Sequence, residues 1–530
     1  MLCIRRWAIG VMFLILVFVG CSQETPTVGD SRVIFVDGSR DFSGDGTSWE
    51  TAFNDLQQAI DQAGAVASED APYQVWVKAL DTPYIPKDDP NIQGRGEPLN
   101  AENHFTLRSH VAVYGGFAGS EDSLQECANV KATILSGDLG SGIHAYHVLY
   151  MPHAITITNA SLQGVTISGG EAVGLLAEQN DRGAGVYVED QQIDFIDCNF
   201  TQNNAHQDGH IGKGGALYIS QRDDFAGGLD TSMSHWVKIQ GCSFVENTAG
   251  MGGAIYVDKA LGVYITGSSF NANHSYYGGN ALGASSIDDA ANERERLRIV
   301  SCSFTENSLR TGVPTDVEKH GGALHLHDTK ALVDKTVFMS NSIEDEGGAI
   351  ALTGDIDITG SSLLVYNSLF AKNTAATGKG GALAMAQTTR AELYHLTIAD
   401  NSDRALYCSV AHFIGMENVL VLDDDTSWLD KSGTTGIEIQ GPQDDGVEIP
   451  CNLIVGLDSS DSPYLLNGVG MSSIFLEPNA DGRTTTEHYR LSSSADAVLK
   501  EGFWSSNDPY QWRNLADEER SNASVALGAF

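Results

Sequence analysis

Three histidines and an aspartate, His320, His325, His327 and Asp328, form the densest set of metal-capable side chains in the sequence. His325 and His327 stand two apart, so on a strand both imidazoles leave the same face, and two imidazoles with a carboxylate suit Zn2+. A solvent-facing strand accounts for the same spacing. Gly44-Asp45-Gly46, with Asp37 and Asp41 close by, offers oxygen ligands of the kind Ca2+ takes, and equally reads as a tight turn. Asp223 and Asp224, with His210 nearby, could supply the paired carboxyls that glycoside hydrolysis needs roughly 5–9.5 Å apart. Arg294, Arg296 and Arg298 could supply the base of a uronate lyase, but they alternate with Glu293 and Glu295 and no carboxylate cluster for Ca2+ accompanies them. A solvated loop is the simpler reading of that stretch. Tyr187, Tyr218, Tyr256 and Tyr264 recur on strand-like segments and could stack on sugar rings from an outward face. No Cys-x-x-Cys pair, phosphate loop, dinucleotide fingerprint or nucleophile elbow occurs, so no cofactor is expected, with Ca2+ left open and a metal at His325 and His327 left open beside it.

These residues sit on a repeat. An apolar residue is followed three positions later by Asn at Phe200/Asn203, Phe244/Asn247, Phe270/Asn273, Phe304/Asn307, Phe338/Asn341, Phe370/Asn373 and Ile398/Asn401. The apolar members are spaced by 44, 26, 34, 34, 32 and 28 residues, within the range of stacked structural repeats. Between most copies a Gly-Gly step opens a short strand, as in Gly214-Gly-Ala-Leu-Tyr-Ile219, Gly252-Gly-Ala-Ile-Tyr-Val257 and Gly321-Gly-Ala-Leu-His-Leu326. Glycine supplies the positive φ such a corner needs. One copy cannot bury its apolar face alone, whereas copies stacked about 4.8 Å apart can. The Phe residues then line the inside of a tube. The Asn amides meet backbone groups at the corners, where an unpaired buried group costs about 1–3 kcal/mol. The expectation is an all-β, right-handed parallel β-helix. A propeller would have a longer and more even period.

A solenoid must cover its ends. Asn54-Asp-Leu-Gln57 reads as a helix start with Asn54 as the cap, and Leu56, Ala59, Ile60 and Ala63 then share one face over the first rung. Repeats fade after Asn401, and the remainder, including Trp504 and Trp512, reads as irregular rungs and a closing cap. Cys198, Cys242 and Cys302 each lie two residues before a repeat Phe, where other copies carry Ser268, Thr336 and Ser368. They are expected inside the tube as small buried residues. A Cys198–Cys242 bridge across neighbouring rungs and a Cys408–Cys451 bridge both stay open at this point.

At the N-terminus, Arg5 and Arg6 precede an apolar run from Ala8 to Gly20, too short to span a bilayer and shaped like an export signal. Phe18-Val19-Gly20-Cys21 resembles a bacterial lipobox, which implies lipidation of Cys21 and attachment to the membrane through that anchor, with Ser22 compatible with outer-membrane sorting. The net charge of −38 disfavours a nucleic-acid partner, since a surface that acidic repels phosphate backbones. A hydrophobic fraction of 42 % supports a core and excludes a wholly disordered chain. The organisation expected is a signal over residues 1–20, a tether over 21–32, an N-terminal cap and first rungs over 33–150, repeat rungs over 151–405, and irregular C-terminal rungs with a cap over 406–530.

The Phe-x-x-Asn and Gly-Gly-Ala-(Ile/Leu) motifs resemble the repeats of chlamydial polymorphic membrane proteins, β-helical surface adhesins, without their translocating barrel. Val33-Ile-Phe-Val-Asp37, Gly44 to Trp49, Val113 to Glu121, Thr133 to Asp138 and His488 to Ser492 resemble bacterial right-handed β-helix surface proteins and lipoproteins. That likeness implies an envelope-anchored, non-catalytic, adhesin-like binding protein for glycans or a partner-cell surface. The alternative it leaves is a polysaccharide lyase or glycoside hydrolase of pectate-lyase-like fold.

Overall fold

A computed structural model describes residues 32–408, apart from 88–99, 128–132, 154–157, 175–178, 208–210, 222–236, 260–261, 286–296, 311–316, 355–360, 387–389 and 403, with isolated strands beyond as far as Val455. Most of its strands form three parallel sheets of 13, 10 and 11 members, each strand pairing with its counterpart one turn of the chain away, and smaller sheets hold the rest. The chain visits the first sheet, then the third, then the second, and climbs one rung per circuit. This is a right-handed parallel β-helix, the hand that parallel crossovers almost always take.

The repeat Phe residues point inward on the third sheet and stack face to face. Phe200, Phe244, Phe270, Phe304, Phe338 and Phe370 form one column with ring centroids 4.4–5.1 Å apart. Leu217, Ile255, Leu282, Leu324, Ile350 and Leu383 line the second sheet, and Val237, Val263, Leu297, Ala331, Leu363 and Ala391 the first; all are buried in one continuous core.

The Asn corner works as the spacing predicts. Asn247 Nδ2 donates to Phe200 O at 2.9 Å and to Asn273 Oδ1 at 3.0 Å. Its own Oδ1 accepts from Asn203 N and Nδ2. The pattern repeats through Asn273, Asn307, Asn341, Asn373 and Asn401. At the Gly-Gly corner the two glycines have different reasons. Gly321 has φ +74°, whereas a Cβ on Gly322 would lie 1.9 Å from Gly348 O on the next rung.

The capping helix, Leu56–Gly64, buries Leu56, Ala59, Ile60 and Ala63 over the open rung. Its cap is Asp55, not Asn54: Asp55 is extended, and its carboxylate accepts from Gln58 N at 3.0 Å. Asn54 instead donates to Arg40 O, tying down the preceding loop. Outside the first sheet, Phe35, Trp49, Trp76 and Phe117 pack into an aromatic cover over the lowest rungs. Cys198, Cys242 and Cys302 are buried and unbridged, and the partly buried Cys127 donates its thiol to Gly115 O. Cys198 and Cys242 lie on adjacent rungs, since Asn199 pairs with Ser243. Cys408–Cys451 and residues 1–31 lie outside the described side chains.

Candidate binding face

Tyr187, Tyr218 and Tyr256 point outward from the second sheet, in register with Tyr150. They are nevertheless only 1 %, 3 % and 3 % exposed, which corrects the expectation of an open stacking face. Their own rings cover one another, with centroids 5.2, 5.4 and 6.3 Å apart along the column. The residue before each first Gly folds over what remains. Arg182 lies 5.2 Å from the Tyr218 ring centre, and Lys213 Nζ lies 4.3 Å from that of Tyr256. The hydroxyls are occupied as well: Tyr187 donates to Gln179 Oε1 and Tyr218 to Asp258 Oδ2. Burial pushes both phenols above their ordinary range. No ring face is left for a sugar.

The same column continues through Gly283 to His325. At Gly283 a Cβ would meet the Tyr256 ring at 2.8 Å. His325 is 8 % exposed, so the solvent-facing strand expected for it is instead a covered position. His325 Nε2 and His327 Nδ1 both meet Thr353 Oγ1, at 2.9 and 3.0 Å. A hydroxyl has one proton, so it donates to one imidazole and accepts from the other. Burial, with His320 and His327 nearby, holds His325 well below the usual imidazole range. Among the described residues no three His, Cys, Asp or Glu side chains converge as a metal site. The acidic turn is likewise satisfied internally. Asp45 Oδ1 accepts from Thr51 Oγ1 at 2.6 Å, Thr47 Oγ1 at 2.8 Å and Thr47 N at 3.0 Å, which lowers its carboxyl to about 2. Asp37 is paired with Lys78 at 2.8 Å.

Tyr264 is placed differently. It lies on the outer face of the first sheet, in register between Lys238 and Arg298. Lys238 and Tyr264 are partly exposed and Arg298 is exposed. Gln240 and Thr266 pair in the neighbouring outward column, with Val300 above them. With rungs about 4.8 Å apart, one aromatic face, two cationic heads and two polar side chains line up on a flat surface. A ring there can stack on the apolar side of a sugar while the flanking groups meet its hydroxyls. Asp223, Asp224, His210, Arg294 and Arg296 lie outside the described residues.

The covering role of Arg182 and Lys213 was missed from sequence. The signal in the sequence was a cation immediately before a corner glycine, Arg182 before Gly183 and Lys213 before Gly214, and the structure bridges Arg182, Lys213 and Met251 in register from rung to rung.

Residues 241–258, one rung from Gly241 through Phe244, Asn247 and the Gly252-Gly253 step to Asp258, match the model of the Chlamydia polymorphic membrane protein repeat. No curated protein matches the chain. Fold and match together define a parallel β-helix, one rung of which matches this repeat.

Proposed function

We propose that this chain is a non-catalytic, adhesin-like binding protein of the bacterial envelope. In this reading it is exported and held by a lipid on Cys21, and it meets glycans or a partner-cell surface with the outer face of its first sheet. The observation that carries the reading is Tyr264, partly exposed between Lys238 and Arg298 on a flat in-register ladder, while the other tyrosine candidates are sealed. The name of the matched repeat, that of a polymorphic membrane protein, supports a place at the cell envelope. The test incubates the lipid-free chain, Ser22 to Phe530, with a panel of polysaccharides, with and without Ca2+, and follows both retention and polymer length. Retention of intact polymer is the expected result. Shortened polymer would establish the lyase or hydrolase alternative.

A further inference from the structure

The capped end of the tube carries the most exposed apolar groups of the chain. Among the described residues the two most exposed large apolar side chains are Phe42, at 83 %, and Val66, at 54 %, and both belong to the cap. Val66 follows the helix Leu56–Gly64, and Phe42 stands in the loop before it. Ser43 Oγ donates to Gln58 Oε1 at 3.1 Å, and Asn54 Nδ2 to Arg40 O at 3.2 Å, so the Phe42 loop is held against the outer side of the helix. Leu56, Ala59, Ile60 and Ala63 are buried against the tube, which leaves Gln58 and Gln62 exposed on the far side. The one charge within the helix, Asp61, is paired with Arg108 at 2.7 Å, and its cap Asp55 with Lys87 at 3.4 Å. The outer side of the helix is thus uncharged, with an apolar side chain projecting near each end. Exposed carboxylates at Asp41, Glu69 and Asp70 border it.

We infer that this surface seats on the lipid–water interface of a zwitterionic bilayer, with Phe42 and Val66 entering it, so that the tube stands on its cap. The inference rests on the reading that Cys21 carries a lipid. Place chooses the occupant. Arg32 leads into Val33–Val36, the end strand of the first sheet, and the capping helix packs against that strand. Ser22 to Ser31 join Arg32 to Cys21 and reach about 40 Å at most, which keeps the cap beside any bilayer that holds the lipid. Apolar side chains at the headgroup boundary gain free energy without a helix having to insert, and they supply a second membrane signal beside an acyl anchor. The bordering carboxylates favour zwitterionic over anionic lipid. A second copy suits the surface less, because two chains of net charge −38 repel each other. Tyr264 lies on a strand six steps along the first sheet from Val33–Val36, so an upright tube lifts it about 29 Å from its base, clear of the headgroups.

The test attaches Ser22 to Phe530 to phosphatidylcholine vesicles through an N-terminal histidine tag and a nickel-chelating lipid, so that it does not depend on acylation of Cys21. Hydrogen exchange is compared with that of the same chain free in solution. Amides of residues 40–46 and 62–68 should exchange roughly tenfold more slowly on the vesicles, and those of 263–266 should exchange as before. Phe42→Asp with Val66→Asp, both at exposed positions, should lose that protection while the chain stays attached and folded. Equal rates on and off the vesicles, or protection that survives the double variant, overturn the inference. Cap protection that follows protein concentration without vesicles assigns the surface to a second copy and also overturns it. The intact mass of the exported chain reads the anchor separately: Cys21 without acyl chains defeats the anchored reading, and the vesicle result still decides the cap.

Discussion

Asn273 makes its rung depend on both neighbours. Its Oδ1 accepts from Asn247 N and Nδ2, and its Nδ2 donates to Phe244 O and Asn307 Oδ1. Asn273→Ala leaves the Asn247 donors and the Phe244 carbonyl unpaired in a dry core, which should cost about 3 kcal/mol or more. Asn273→Asp should be no better, since a carboxylate cannot donate and would face the Asn307 oxygen. Hydrogen exchange read rung by rung checks this, with protection lost around residues 244–247 and 304–307. The buried imidazoles make a second prediction at this scale. Burial lowers His147 to about 4 and His325 well below its ordinary value. The unfolded chain therefore takes up protons below about pH 6.5 that the folded chain refuses. Stability is full above that pH and falls as pH drops toward the folded values, by at most about 1.4 kcal/mol per pH unit for each histidine. Denaturation midpoints at about pH 7.5 and about pH 5 should differ, and His325→Gln should shrink the difference.

At the scale of the element, the Gly-Gly step sets how closely rungs approach. Gly322→Ala places a methyl against Gly348 O and should cost about 1–3 kcal/mol as overpacking. Because each rung contacts only its neighbours, hydrogen exchange should show the loss confined to residues near 321–326 and 347–352. The inward Phe column, the Asn ladder and the glycine corners were legible in the sequence because each is a fixed offset repeated in order. The helix was legible too, through Leu56, Ala59, Ile60 and Ala63, but its cap was placed one residue early because Asn54 and Asp55 are both good caps and only the extended Asp55 backbone separates them. The fate of the tyrosines was not legible. Alternation tells which side of a strand a residue leaves, and says nothing of what folds over it. Arg182 and Lys213 reach the Tyr218 and Tyr256 rings from the preceding rung, a contact between distant parts of the chain.

For the whole molecule, stacking turns short strands into long outer surfaces, and those of the second and first sheets are of opposite kind. One is sealed by its own aromatic column and cationic cover, and the other stays open around Tyr264. An acidic chain with net charge −38 meets neutral polymers more readily than anionic ones, so the binding proposed for the ladder at Lys238, Tyr264 and Arg298 is predicted to rest on stacking and hydrogen bonding more than on charge. The most direct measurement compares Tyr264→Ala with Tyr218→Ala, following affinity for a retained glycan alongside the melting temperature. Tyr264→Ala should weaken binding roughly two- to thirteenfold, as loss of one aromatic contact of about 0.5–1.5 kcal/mol predicts, with melting unchanged. Tyr218→Ala should lower the melting temperature and leave affinity as it was. Weakened binding in Tyr218→Ala with none in Tyr264→Ala would contradict the assignment of the open face.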